Sequence, residues 1–167
     1  MWKRIEEMFA GLPAQKQVAR KMVELGLSIN AKGVIECGGV EVKEVSLARA
    51  SGVDRRTVRA TAAAILGDKV LSQIFVGIRP AGALLKEVAP LIGLGVIEIE
   101  ANARETGIVA KAASLLAKRG ISIRQAFAKD PELFENPTLT IITEKRLPGT
   151  LLDSLLKIRG VKKVSVY

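Results

Sequence analysis

VIEIEANARETGIVAKAASLLAKRGISIRQAFA, residues 96–128, and TLTIITEKRLPGTLLDSLLKIRGVKKVSV, residues 138–166, share one plan. The first opens on a run over 96–101, passes Gly107, an apolar-striped stretch and Arg119-Gly120, and closes on a run over 121–128. The second has a run over 139–143, then Gly149, a striped stretch, Arg159-Gly160 and a run over 161–166. Ile97, Ile99 and Ala101 alternate with Glu98 and Glu100, as Leu139, Ile141 and Thr143 do with Thr138 and Thr140. That is the period of a half-buried strand. Ile108, Ala112, Leu115 and Leu116 recur at helical spacing, as do Leu151, Leu152, Leu155 and Ile158, and an Arg-Gly pair stops each helix. Two strand–helix–strand units in series predict β-α-β-β-α-β over residues 94–167, with both helices on one face of the sheet and polar side chains on the other.

Upstream, residues 78–93 read as a link between two domains, with a helix over 80–92 that carries Leu84, Leu85 and Val88 on one face. Pro80 suits its first turn, and Pro90 and Gly93 mark its end. The apolar run over 70–76 reads as a strand, either part of a wing or the lead into the linker. Residues 1–77 form the other domain. There Trp2, Ile5 and Phe9 share a face of a short helix, and Pro13 precedes a helix over 14–26 marked by Val18, Met22 and Leu25. Gly38-Gly39 between two apolar-rich runs signals a hairpin over 33–42, with Cys37 beside its turn.

Residues 44–63 decide the character of this first domain. Two closely crossing helices need a small residue in the first, which Ala48 supplies, and a turn residue tolerant of positive φ, which Gly52 supplies. Val53 and Val58 anchor the second helix against Leu47, and Asp54 is placed to cap it. Ala48, Gly52 and Val58 stand at the spacing of helix-turn-helix proteins, which the segment resembles. The second helix then presents Arg55, Arg56, Thr57 and Arg59, and arginine pairs bidentately with guanine or grips phosphate. The competing reading is a helical hairpin that only packs, with solvated arginines.

Composition bounds the chemistry. Net charge is +9, which attracts polyanions. The excess is spread along the chain: residues 1–77 carry 12 Lys+Arg against 8 Asp+Glu, and 78–167 carry 14 against 9. Local clustering must therefore point to a binding face. With no histidine the commonest general base is missing, and one cysteine forms neither an internal disulfide nor a metal cluster. No nucleophile–base pair and no phosphate-cradling glycine loop stands out, so the expectation is a protein that is not an enzyme, holds no metal and needs no cofactor. Asp130, Glu132 and Glu135 around Pro131 read as a solvated loop. No run approaches the ~18 apolar residues of a membrane span, and acids stand where an export signal would be apolar, so no membrane partner and a cytoplasmic location are expected. Few Asn and Gln among many Lys, Arg and aliphatics suggest a heat-adapted source.

Residues 96–109 and 115–123 resemble an ACT domain, a small ferredoxin-like module that binds amino acids. The likeness spans residues 94–167, and the whole chain resembles the archaeal predicted regulators of amino-acid metabolism, with an N-terminal helix-turn-helix and a C-terminal ACT domain. The implied fold is α+β: a mostly helical DNA-binding domain, with or without a wing, followed by a βαββαβ sensor. The implied ligand site is the loop from the first strand into the first helix, here Asn102, Arg104, Glu105, Thr106, Gly107 and Ile108, faced by Ser122 and Ile123. Thr106 is placed to cap that helix, whose first N–H groups suit a carboxylate. Ala103, Arg104, Glu105 and Thr106 make the loop longer than the compact form common in the family. The resemblance implies an amino-acid effector, DNA, and a homodimer or higher oligomer formed through the ACT domain, whose two-fold axis would match palindromic half-sites. The alternative is an ACT-type protein that modulates an enzyme by contact and never touches DNA.

Overall fold

The structure is a computed structural model that describes residues 1–102 and 104–167. It is mixed α+β, with seven α-helices and two antiparallel sheets of three and four strands among the described residues. The chain divides into two compact units, Met1–Gly82 and Ala83–Tyr167.

The first unit runs α1 (Trp2–Met8), α2 (Pro13–Leu25), β1 (Ser28–Ile29), β2 (Ile35–Cys37), β3 (Val40–Glu41), α3 (Glu44–Ser51), α4 (Arg55–Gly67) and α5 (Lys69–Gly77). Pro13 opens α2, where its missing N–H costs nothing. Gly26 closes α2 in the left-handed conformation and backs directly onto Pro80. Helices α2, α3 and α4 pack on one another around Val18, Met22, Leu47, Val58 and Ile65, all buried. The Gly38-Gly39 hairpin is present, both glycines at positive φ, as a two-residue turn between twisted strands requires. β1 adds a third strand, with Ile29 opposite Ile35.

The run over 70–76 is not a strand, and so neither a wing nor a linker strand. It lies in helix α5. Asp68 decides this: its carboxylate accepts from the N–H groups of Val70 and Leu71 and caps the helix. Leu71 and Phe75, one turn apart, then fill the core. The three-stranded sheet precedes the α3–α4 pair in the chain rather than following it.

In the second unit the elements are β4 (Gly95–Ala101), α6 (Ile108–Ala117), β5 (Ile123–Ala128), β6 (Thr138–Thr143), α7 (Thr150–Leu156) and β7 (Val161–Val166). The expected β-α-β-β-α-β succession is present, in the spatial order β5-β6-β4-β7, so the two strand–helix–strand units interleave. Ile97, Ile99, Leu139 and Ile141 meet Ala112, Leu116, Leu151 and Leu155 of the two helices in a dry aliphatic core. The alternation seen in the sequence is the register seen here, with Ile97 opposite Ile141 and Glu98 opposite Thr140.

Two expectations fail at the start of this unit. Residues 80–92 are not a helix: only a 3₁₀ turn, Ala89–Ile92, interrupts an irregular strap. Gly82, at a φ of 97°, and Pro90 break the helical register; of the expected apolar face only Leu85 packs on the sheet, and Leu84 and Val88 are exposed. Nor is the far face of the sheet wholly polar. Leu85, Ala89 and Leu94 of the strap cover Val96 and Ile142 in a second small core. The Gln125 side chain fastens the strap, accepting from the Leu85 N–H (3.1 Å) and donating to the Ala83 carbonyl (2.7 Å). Lys86 adds an ion pair to Glu98 at 2.9 Å, and that carboxylate raises the pKa of the lysine.

Candidate functional site

Two groups of residues bear on function, one in each unit. In the first, Gly52 (φ 65°) caps the end of α3 and Asp54 caps the start of α4, its carboxylate accepting from the Thr57 N–H at 2.9 Å. That N–H holds the Asp54 carboxyl below its usual range. Arg55, Arg56 and Arg59 are all exposed on the first turns of α4, while Thr57 is half-buried and shares in the cap.

The arginines are not equally free. Glu44, at the start of α3, accepts from Arg59 Nε (3.1 Å) and Nη2 (2.9 Å) and lies 4.0 Å from Arg55 Nε. The bidentate Arg59 bond holds the Glu44 carboxyl below its usual range and raises the Arg59 pKa in return. Arg56 has no ion pair among the described residues. A groove of about 650 Å³ runs beside the paired arginines, and Lys32 and Lys43 also line it. Those two lysines were not singled out from the sequence, because only the folded hairpin brings them to α4.

In the second unit the loop after β4 is organised by its own polar groups. Asn102 Oδ1 accepts from the Arg104 N–H, its carbonyl accepts from the Glu105 N–H, and its own N–H donates to the Gly160 carbonyl. Ala103 lies outside the described residues. Glu105 pairs with Arg159 at 3.5 Å and packs so tightly on Gly160 that a Cβ there would sit 2.6 Å from Glu105 Cγ. Gly160 therefore supports the loop; the helices end before the expected Arg-Gly stops, α7 at Leu156 and α6 at Ala117.

A cavity of about 550 Å³ opens beside the start of α6. It brings together Asn102, Glu105, Gly107 and Ile108 with Ala128 of β5 and Leu139 of β6. The volume falls within the ~300–1,000 Å³ of small-molecule sites. Arg104 lines a neighbouring cavity of about 500 Å³, and Thr106 is exposed and lines neither of the two. Thr106 does not cap α6. Gly107 holds the capping position at a φ of 83°, and no side chain caps the first turn.

Ser122 and Ile123 do not face this loop within the chain. Ile123 stands opposite Thr143, which stands opposite Gly95 at the start of β4, whereas the loop leaves the other end of β4 at Ala101. Six residues of extended strand, about 20 Å, separate the two places. Among the described residues no single helix is long and apolar enough to cross a membrane. Compared with known proteins, the chain matches no family model and no curated protein.

Proposed function

We propose that the chain is an amino-acid-responsive, DNA-binding transcriptional regulator that is not an enzyme and works in the cytoplasm. In this reading α3 and α4 are a helix-turn-helix, and the second unit is a ferredoxin-like domain of the ACT type. The observation that carries it is the display of Arg55, Arg56 and Arg59 on the solvent side of a capped helix whose other side is locked into a three-helix core. Such a helix can enter a major groove, with Arg56 free to reach a base edge or phosphate.

The cavity beside α6 is the place for the effector. A dimer through the edge strand β5 accounts for its exposed Ile123 and Phe127 and for Val109 on α6, since unpaired edges invite pairing. It would also carry Ser122 and Ile123 of the second copy toward a loop they do not reach within one chain. The effector acts by its difference in affinity for two arrangements of the dimer.

Fluorescence anisotropy with duplex DNA across a salt series tests the reading. The expected result is binding that weakens steeply with salt and is lost in the Arg55→Ala/Arg56→Ala double variant, while circular dichroism stays unchanged. Equal affinity in that variant overturns it. The second reading, an ACT-type protein that modulates an enzyme by contact, draws support from the engagement of Arg55 and Arg59 by Glu44. It predicts no salt-dependent binding to any duplex.

A further inference from the structure

We propose that the cavity beside α6 takes an α-amino acid with an uncharged aliphatic side chain. This rests on the reading above and narrows its effector to one chemical class. Ile99, Ile108, Val109, Ala128 and Leu139 line the cavity, and none offers a side-chain hydrogen bond. A charged or amide side chain entering here would give up its water and gain no partner.

The charged groups at the rim are engaged elsewhere. Glu105 is paired to Arg159, and the Lys129 ammonium sits 5.2 Å from the centre of the Phe134 ring. Thr138 adds a buried hydroxyl that has no partner among the described residues. Thr138 and Asn102, whose Oδ1 accepts from the Arg104 N–H, are the neutral polar groups of the lining, and neither balances a charge.

The neighbouring cavity differs in kind. Glu100, Glu132, Glu135, Arg104 and Lys162 bring both signs of charge to it. Ala101, Asn102, Pro131 and Pro137 line both cavities and form the border between them. An aliphatic amino acid has the same two-part character, with an apolar side chain at one end and an ammonium and a carboxylate at the other. The carboxylates of the second cavity accept from an ammonium, and Arg104 presents paired donors to a carboxylate. Fatty acids and simple amines each answer only one sign of charge. Lysine or aspartate would place a second charge against Ile99 and Leu139.

The test is calorimetric titration of the full chain with leucine, isoleucine, valine, lysine and aspartate, and with two fragments of leucine, 4-methylpentanoate and 3-methylbutylamine. The expected result is binding of the aliphatic amino acids, with each fragment weaker by about tenfold or more because one charge-assisted contact set is missing. Ala128→Phe, at an exposed position, fills the cavity and abolishes the leucine response with the fold intact. Tighter binding of lysine or aspartate, a fragment that matches leucine, or an unchanged leucine response in Ala128→Phe overturns the inference and leaves the amino-acid-sensing reading standing. Silence of every amino acid overturns both. DNA affinity measured on the same preparations separates the sensor from the helix-turn-helix.

Discussion

Replacing Glu44 with glutamine should tighten DNA binding if the arginines of α4 contact phosphate. The carboxylate holds Arg59 through two bonds and lies 4.0 Å from Arg55, so its charge offsets part of the positive charge which that face presents. Glutamine keeps the shape and removes the charge. An exposed ion pair contributes little to folding, so the fold should be unaffected. One additional effective phosphate contact changes the slope of log affinity against log salt by about −0.9. Taking equal affinity near 1 M salt as the reference, that slope gives roughly eightfold tighter binding at about 0.1 M. Anisotropy titrations of both proteins across a salt series read slope and affinity together. An unchanged slope, or weaker binding with an intact fold, would refute the reasoning. Weaker binding would mean that Glu44 orders the arginines or accepts a hydrogen bond from a base.

Three further outcomes follow from packing and charge. Gly26→Ala sets a Cβ 2.6 Å from Pro80 Cα at a φ of 66°, and should cost about 2 kcal/mol or more in urea unfolding. Ser51→Ala should be neutral or stabilising by up to about 1 kcal/mol, because the Ser51 hydroxyl is buried without a partner among the described residues; a loss above that would reveal a missed bond. The Asp68 carboxyl is held below its usual range first by the Leu71 N–H and then by Arg4, and Asp54 is lowered by the Thr57 N–H. Their contribution is therefore complete above the unfolded value of ~3.9 and is lost as pH falls through the lower folded values. Urea midpoints measured from about pH 5 down to pH 2 should fall less steeply in the Asp54→Asn/Asp68→Asn variant than in the parent.

The strands of the second unit were legible because one face is buried: Ile97, Ile99, Leu139 and Ile141 advertise a period of two. Helix α5 was not, since a short run with five apolar residues among seven, Val70–Val76, fits a buried strand as well as a buried helix. The deciding signal was the capping Asp68 just before them. The strap misled for the opposite reason. Leu84, Leu85 and Val88 have helical spacing, yet only Leu85 packs on the sheet, along an irregular path that Gly82 and Pro90 impose, while Leu84 and Val88 are exposed. At the candidate sites, local features could be read: the arginines, the Asp54 cap and the glycine at the head of α6. The pairing of Glu44 with Arg59, and the separation of Ile123 from Asn102, depend on which elements come together in space. Spacing along a chain does not encode that.

Gln125 has a practical corollary. By grasping Ala83 and Leu85 it makes the strap an integral part of the second unit, not a leash leading to it. Anyone transplanting this module onto another protein should therefore cut before Ala83. A cut at Leu94 would strip the lid from Val96 and Ile142 and leave a sticky aliphatic scar on the open face of the sheet.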